Sequence, residues 1–326
     1  MSLPHIASIG FSCAALEATS RFFCQGLGFS EAQNHRIQGG PYADLVGLPG
    51  ATLQLRRLRI GAETLELTQV LDAGPGGRPG RPLPAASRSN DHWFQHICLV
   101  VPSVERALEP LAAVRPPAGG DAISSAPQRL PDWNPAAAGI VAYKFRDPEG
   151  HPLELLQFPA GKGDRRWQLD ADQANGAAVL GIDHSAIGIA DTAASRRFYA
   201  LLGLCLAGEG VNSGPEQDRL DGLEGVEVRI TALRCPAGPG LECLDYRQPR
   251  GGRPLPADLG PQDGAHWQVR LRVADLEPIA AGAAAAGGRL ISPGIVELRE
   301  QATLIGGRRA LQLADPDGHR LQLIEG

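Results

Sequence analysis

The feature that most constrains the fold is a phrase that occurs twice. Residues 145–159, FRDPEGHPLELLQFP, read as strand, tight turn, strand, and the same grammar returns at 313–325 as LADPDGHRLQLIE. In the first copy Pro148 fixes φ at one corner and Gly150 supplies the exit of the turn. Leu153, Leu155 and Leu156 then give the outgoing strand its apolar residues. Glu154 lies among them facing the other way, and a carboxylate on the buried part of a strand needs a cation, a donor network or a metal ion. Such a recurrence makes the chain an array of repeated units, each too small to bury both faces of its own sheet.

Four units can be traced. The first, 1–72, has a strand at 8–13 and a helix at 15–25 with Leu16, Phe22 and Phe23 on one face, stopped by Gly26 and Gly28. Strands at 51–60 and 63–70 follow. After a Gly/Pro-rich connector, the second unit, 86–160, opens with FQHICLVV. Its alternation puts His96 and Cys98 on one face and Ile97 and Leu99 on the other. Ser103 can cap the helix VERALEPLAA, and the strands around Tyr143 and Glu154 close the unit.

A polar stretch, 161–177, reads as a linker. The third unit, 178–250, begins LGIDHSAIGIADTAASRRFYALLGL, where Asp191 can cap a helix carrying Phe198 and Tyr199. SRRFYALLGL superposes on SRFFCQGLGF of the first unit, and GLECLDY matches ETLELTQ. The fourth, 262–326, opens with HWQVRLRVADLE, mirroring the His-Trp at 92–93, and closes on DPDGH. RPLPA also occurs twice, at 81–85 and 253–257. The expectation is an α+β fold of four β-α-β-β-β modules in two domains, 1–160 and 178–326.

Composition narrows the function. The 326 residues suit two domains, and 43% hydrophobic content is ample for their cores. A net charge of −5 with interspersed signs offers no basic stripe for nucleic acid and no cationic helix for a membrane surface. No apolar run approaches a spanning length, and MSLPHIASIG lacks a charged n-region followed by an apolar one, so a cytoplasmic protein acting on small molecules is expected. The six cysteines show no CxxC spacing and suggest neither a zinc knuckle nor a dithiol site.

FQHICLVVPSVERAL with FRDPEGHPLELL, and GIDHSAIGIADTAASRRFYALLGL with GLECLDY, resemble the vicinal oxygen chelate superfamily of glyoxalase I, bleomycin and fosfomycin resistance proteins, epimerases and extradiol dioxygenases. The resemblance implies that paired modules curl into cup-shaped mixed sheets, with metal ligands on the first and last strand of each module. Matched one module at a time, it puts ligands at His96 and Glu154 and at His184 and Glu242, both pairs separated by 58 residues. The first module offers Ile9 and Glu66, the fourth Gln268 or Arg270 and Gln322. If modules one and two share a cup, no cup owns two histidines. If two and three share one, His96, Glu154, His184 and Glu242 converge, and the opposite cup is metal-free. The crossed pairing is the expectation because it uses all four residues.

Two imidazoles and two carboxylates suit zinc, nickel, cobalt, manganese or iron(II). The resemblance then implies a lyase or isomerase that stabilises an enediolate, with Glu154 or Glu242 as general base. The alternatives are an iron(II) extradiol-type dioxygenase using both histidines and one glutamate, and a metal-free binding protein of the bleomycin-resistance kind. Trp93, Tyr143 and Arg270 are the candidate substrate-pocket residues. Arg270 and Arg272 can also hold an anion in the second cup, although salt-bridged strand arginines are the commoner case. His151 and His319 are expected to be exposed turn residues, and His92 and His266 to pack or cap. Asp147 and Asp315 are expected to bond local backbone N–H groups. A monomer or homodimer with no cofactor beyond the metal completes the expectation.

Overall fold

The structure is a computed structural model that describes residues 3–93, 95–114, 122–169 and 176–326. The first module runs β1 (His5–Ser12), α1 (Leu16–Arg21), β2 (Ser30–Gln38), α2 (Gly40–Leu45), β3 (Thr52–Ile60) and β4 (Glu63–Asp72). The second runs β5 (His96–Val100), α3 (Val104–Val114), β6 (Gln128–Arg129), β7 (Val141–Arg146) and β8 (Pro152–Gln157). The third has β9 (Gly181–Gly188), α4 (Thr192–Leu201), β10 (Cys205–Ser213), α5 (Pro215–Asp221), β11 (Glu227–Arg234) and β12 (Gly240–Gln248). The fourth has β13 (Trp267–Val273), α6 (Glu277–Gly282), β14 (Arg289–Leu290), β15 (Val296–Glu297), α7 (Ala302–Ile305), β16 (Arg309–Ala314) and β17 (Arg320–Glu325).

The helix starts follow their capping chemistry. Asp191 Oδ1 accepts from the N–H groups of Ala193 and Ala194 at 2.7 and 3.1 Å, and Ser103 Oγ accepts from Arg106 N at 3.3 Å. The helix expected over 15–25 is shorter, because from Phe22 to Gly26 the chain widens into a π turn that still buries Phe22 and Phe23. Among the described residues the strands that follow the helix in modules two and four shrink to two-residue pieces, β6, β14 and β15.

The sheets cross the two halves of the sequence. One has the order β14-β16-β17-β13-β1-β4-β3-β2, with β15 also on β16, and joins modules one and four. The other, β10-β11-β12-β9-β5-β8-β7-β6, joins modules two and three. The halves 1–160 and 178–326 therefore each send one module to each sheet. Within every module the first and last strands pair parallel, and the modules meet along antiparallel seams, β1 with β13 and β5 with β9. The four strands beside each seam are thus the ones that carry the candidate ligands.

Strand alternation separates two environments. Ile9, Leu65, Ile97, Leu99, Leu153, Leu155, Ile182, Leu271, Leu311 and Leu323 belong to one core drawn from all four modules and both sheets. Each is at most 1% exposed, and full burial of such a side chain contributes about 1.5–3 kcal/mol. The opposite, concave faces carry the polar residues.

The DPxG turns are interior joints. Asp147 Oδ1 accepts from the N–H groups of Glu149 and His151, and Asp315 Oδ1 from those of Asp317, Gly318 and His319, as the turn chemistry predicts. His151 and His319, expected to be exposed, are 1% and 3% exposed. The correction has a clear cause: each turn docks on a neighbouring module. His151 Nε2 meets the Gly264 carbonyl at 3.1 Å with its ring against Phe11, and His319 Nε2 meets the Gly188 carbonyl at 2.7 Å. Glu149 also accepts from Ala14 N, Ala15 N and Thr19 Oγ1, covering the start of α1.

The repeated RPLPA segments form a reciprocal clasp. Arg81, in the first half, donates from its backbone N and guanidinium to Asp263 in the second, while Arg253 does the same to Asp91 in the first. Both aspartates are buried. Among the described residues, no helix is long and apolar enough to cross a membrane.

Candidate metal centre

Register brings the sequence candidates onto one face. Cys98 is opposite Glu154 on β8 and opposite His184 on β9, while Ala186 is opposite both His96 on β5 and Glu242 on β12. Cross-strand partners point the same way, and residues two apart share a face. His96, Glu154, His184 and Glu242 therefore line the concave side of the sheet shared by modules two and three.

Three of them form a tight set. Ligand atoms of His96, Glu154 and His184, all from buried residues, lie within 4.8 Å of one another. Bonds of about 2.1 Å would bring donors within about 4.2 Å of each other, a change that small side-chain rotations supply. Glu242 stands just outside this set. Its Oε2 is 3.3 Å from His184 Nε2, and its side chain is 23% exposed against 8% for Glu154.

Asp183 accepts from His184 Nδ1 at 3.0 Å and is itself held by Arg234 at 2.6 Å and Trp167 Nε1 at 3.0 Å. That contact places the His184 proton on Nδ1 and leaves Nε2, a buried atom without a hydrogen bond, turned toward the glutamates. A carboxylate behind a ligand imidazole is the usual means of orienting a metal-binding histidine. The donor set and its support fit a divalent ion.

Sequence reasoning missed Lys144, the cross-strand neighbour of Glu154. Its ammonium lies 2.7 Å from Asp221 Oδ1, and Asp221 Oδ2 accepts from Gln217 at 2.8 Å and the Tyr246 hydroxyl at 3.0 Å. The available signal was one lysine between Tyr143 and Phe145 on a strand paired with Glu154. Trp167, within the predicted linker, was missed as well; residues 170–175 of that segment lie outside the described residues.

Electrostatics separates the two carboxylates. Burial would raise Glu154, but Lys144, His96 and His184 outweigh it and hold the group at about 2. Burial pushes Glu242 up, with Asp183 and Glu154 adding to the effect. Burial also lowers His96, whereas around His184 it is overcome by Glu242 and Asp183, so that this imidazole is raised. Lys144 is raised despite burial, through Asp221 and Glu154.

These residues open onto a cavity of about 530 Å³ whose apolar walls include Leu130, Ile140, Leu156 and Leu220. Its size is that of a small-molecule site. The predicted pocket residues lie elsewhere. Tyr143 faces the shared core, one residue out of phase with Lys144. Trp93 packs with Leu255 and Leu259 and donates to Ser87. Arg270 is in the other cup.

Compared with known families, residues 2–155 match the Glyoxalase/Bleomycin resistance protein/Dioxygenase superfamily. That stretch, modules one and two, carries the superfamily's pattern. Nothing among curated proteins matches its sequence. Of solved structures, glyoxalase I from Zea mays is similar over 99% of this chain and 92% of its own, at 13% identity and a TM-score of 0.56. A putative dioxygenase from Bacillus subtilis is similar over 98% and 84%, at 13% identity and a TM-score of 0.53. Both likenesses concern the superfamily fold.

The second cup has different chemistry. Gly10 is opposite Glu66 and Arg270 opposite Gln322, so the counterparts of the two histidines, two residues earlier, are Ser8 and Gln268. Ile9, read from the sequence as the first-module position, points into the core instead; a one-residue slip flips the face of a strand. Arg270 extends from the seam to Glu66, and its Nε donates to Gln322 Oε1 at 2.7 Å. A guanidinium thus meets the glutamate of this cup. Among the described residues a further group of carboxylates, Asp275, Glu277 and Glu325, is largely exposed, and Arg309 pairs with two of them.

Proposed function

We propose that the chain is a metal-dependent lyase or isomerase acting on a small oxygenated substrate, with His96, His184 and Glu154 as ligands and Glu242 as general base. The observation that carries this reading is the convergence of three buried donors while a second carboxylate, Glu242, shares the cavity wall outside their set. Imidazole and carboxylate suit zinc, nickel, cobalt, manganese or iron(II), and an ion held by His96, His184 and Glu154 would supply Lewis acidity toward adjacent substrate oxygens, the chemistry that favours an enediolate.

The residues have distinct work. Asp183 fixes the tautomer and direction of His184. Lys144 keeps Glu154 ionised and available as a donor. Glu242, nearer the open cavity, takes a proton from the substrate carbon and returns it. Apolar walls limit the water that reaches the exposed carbanion.

A second reading draws on the same geometry. Two histidines and one glutamate are the donors of the facial triad of iron(II) oxygenases, and Glu242 outside the set leaves positions for substrate and dioxygen.

Metal content and exchange chemistry test both. One equivalent of metal is expected in the parent, with loss in His96→Ala, His184→Ala and Glu154→Gln and retention in Glu242→Gln. Deuterium exchange at carbon, followed by NMR across hydroxy-ketones and epimerisable acids, should depend on Glu242. Metal-dependent oxygen uptake with catechols and no exchange would favour the second reading. Absence of metal after reloading would remove both.

A further inference from the structure

The other cup opens onto a cavity of about 710 Å³ lined by Ser8, Arg57, Arg270 and Arg272. Its charges do not balance locally. Arg57 and Arg270 both bind the same oxygen of one carboxylate, Glu66, in a place where Glu66 is 1%, Arg270 3% and Arg57 13% exposed at the side chain. Arg272 gives its Nη2 to the Gly306 carbonyl at 2.7 Å rather than to a carboxylate. Two further arginines at the wall, Arg166 and Arg234, are matched by Glu63, Asp164 and Asp183. Five guanidiniums therefore meet four carboxylates, and the surplus lies where Arg57, Arg270 and Arg272 surround Glu66.

Buried polar atoms also remain unused there. Among the described residues, two donors, Arg270 Nη2 and Ser8 Oγ, and one acceptor, Glu66 Oε1, make no hydrogen bond, so an occupant that carries a proton of its own satisfies all three. Ser8 and Arg270 are opposite each other across the β1–β13 seam, so the two free donors belong to one spot on the sheet. A buried donor without an acceptor is destabilising, and a surplus buried cation is more so. Both costs are relieved by one kind of occupant.

We infer that this second cavity binds a small oxyanion, a carboxylate or phosphate group, with Arg270 Nη2 and Ser8 Oγ as its inner donors and Arg57 and Arg272 supplying the outer charge. Guanidinium forks match the paired oxygens of such groups, and the hydroxyl donates one bond more. The cavity is larger than the anionic group alone, so the ligand carries an organic remainder toward the opening. The chain then has two sites on one repeated scaffold, one built for a cation and one for an anion.

Calorimetric titration of the full chain tests this, using inorganic phosphate and malonate at fixed ionic strength with sodium chloride as the control. Saturable binding of one equivalent is expected, accompanied by a rise in thermal midpoint with anion concentration. Tighter phosphate binding assigns a phosphate ester, tighter malonate binding a dicarboxylate. Ser8→Ala, which removes a hydroxyl without a partner and should fold normally, and Arg272→Gln should each weaken binding about tenfold. Arg270→Gln risks the fold, so it is paired with Glu66→Gln, and the double variant should lose the site. His96→Ala should bind as the parent does. No binding of either anion beyond the chloride control, full binding in both Ser8→Ala and Arg272→Gln, or loss in His96→Ala would overturn the assignment, the last by placing the anion at the metal centre.

Discussion

At the scale of single residues, the proposed metal centre depends on a group outside its proposed ligands. Replacing Asp183 by Ala removes the acceptor that fixes His184 while leaving both imidazoles and Glu154 in place. Metal affinity should fall about 10–100-fold with little change in secondary structure, as competition with a chelating dye and circular dichroism would measure. Lys144 poses a different case. Its pair with Asp221 is 5% and 0% exposed at the side chains, so Lys144→Met strands a buried carboxylate and should cost about 3–5 kcal/mol in denaturant unfolding. Adding Asp221→Asn should recover much of that loss, because both halves of the pair are then neutral. That His96, Glu154, His184 and Glu242 share one face was legible because the family resemblance put candidates on the first and last strand of each module and the repeat aligned them. Lys144 was not, since its role depends on Asp221 from another module, and Ile9 stood one residue away from the true position, Ser8, because spacing alone does not fix which face of β1 turns inward.

At the scale of elements, the turn DPEGH is a charged joint rather than a surface bend. Both ring nitrogens of His151 face acceptors, Asp147 at 2.8 Å and the Gly264 carbonyl at 3.1 Å, which is the geometry of an imidazolium. Burial would lower its pKa, but Asp147, Glu149 and the Gly264 carbonyl together outweigh burial and the group is raised. The folded chain therefore holds this proton more tightly than the unfolded one. The stabilisation is fully present below the unfolded value of about 6.5 and is lost as pH rises through the folded value. The thermal midpoint of the parent should fall across that window more steeply than that of His151→Gln, as a pH series of melts would show. The turn itself was legible from Asp, Pro and Gly; its burial was not, because the docking partner Gly264 lies 113 residues away. The RPLPA echo was visible as a repeat without a purpose, and the structure makes it a clasp. Asp263→Ala, which releases Arg78, Arg81 and two backbone N–H groups, should cost about 1–3 kcal/mol in chemical denaturation.

For the whole molecule, the crossed pairing makes the sequence halves interdependent. His96 and Glu154 belong to residues 1–160, His184 and Glu242 to 178–326, and the seams β5–β9 and β1–β13 join one half to the other along both sheets. A half alone would expose two unpaired first strands, the polar atoms of a divided site and one side of a shared core. The two reciprocal Arg–Asp clasps add contacts that exist only between halves. The fragments 1–160 and 178–326, expressed separately, should therefore fail to show a cooperative melt or bind metal, whereas co-expression should yield a heterodimer with one metal site. Cleavage at a protease site engineered between residues 161 and 177 should likewise leave the halves associated on size exclusion until denaturant is added. Independent folding of either fragment, with its own cooperative melt and metal, would contradict the crossed arrangement. It would mean that each half can close a cup by itself, with Glu66 brought to His96 in one and Gln322 to His184 in the other. Those are the sets in which no cup owns two histidines, so the metal content of the separated fragments discriminates the two architectures directly.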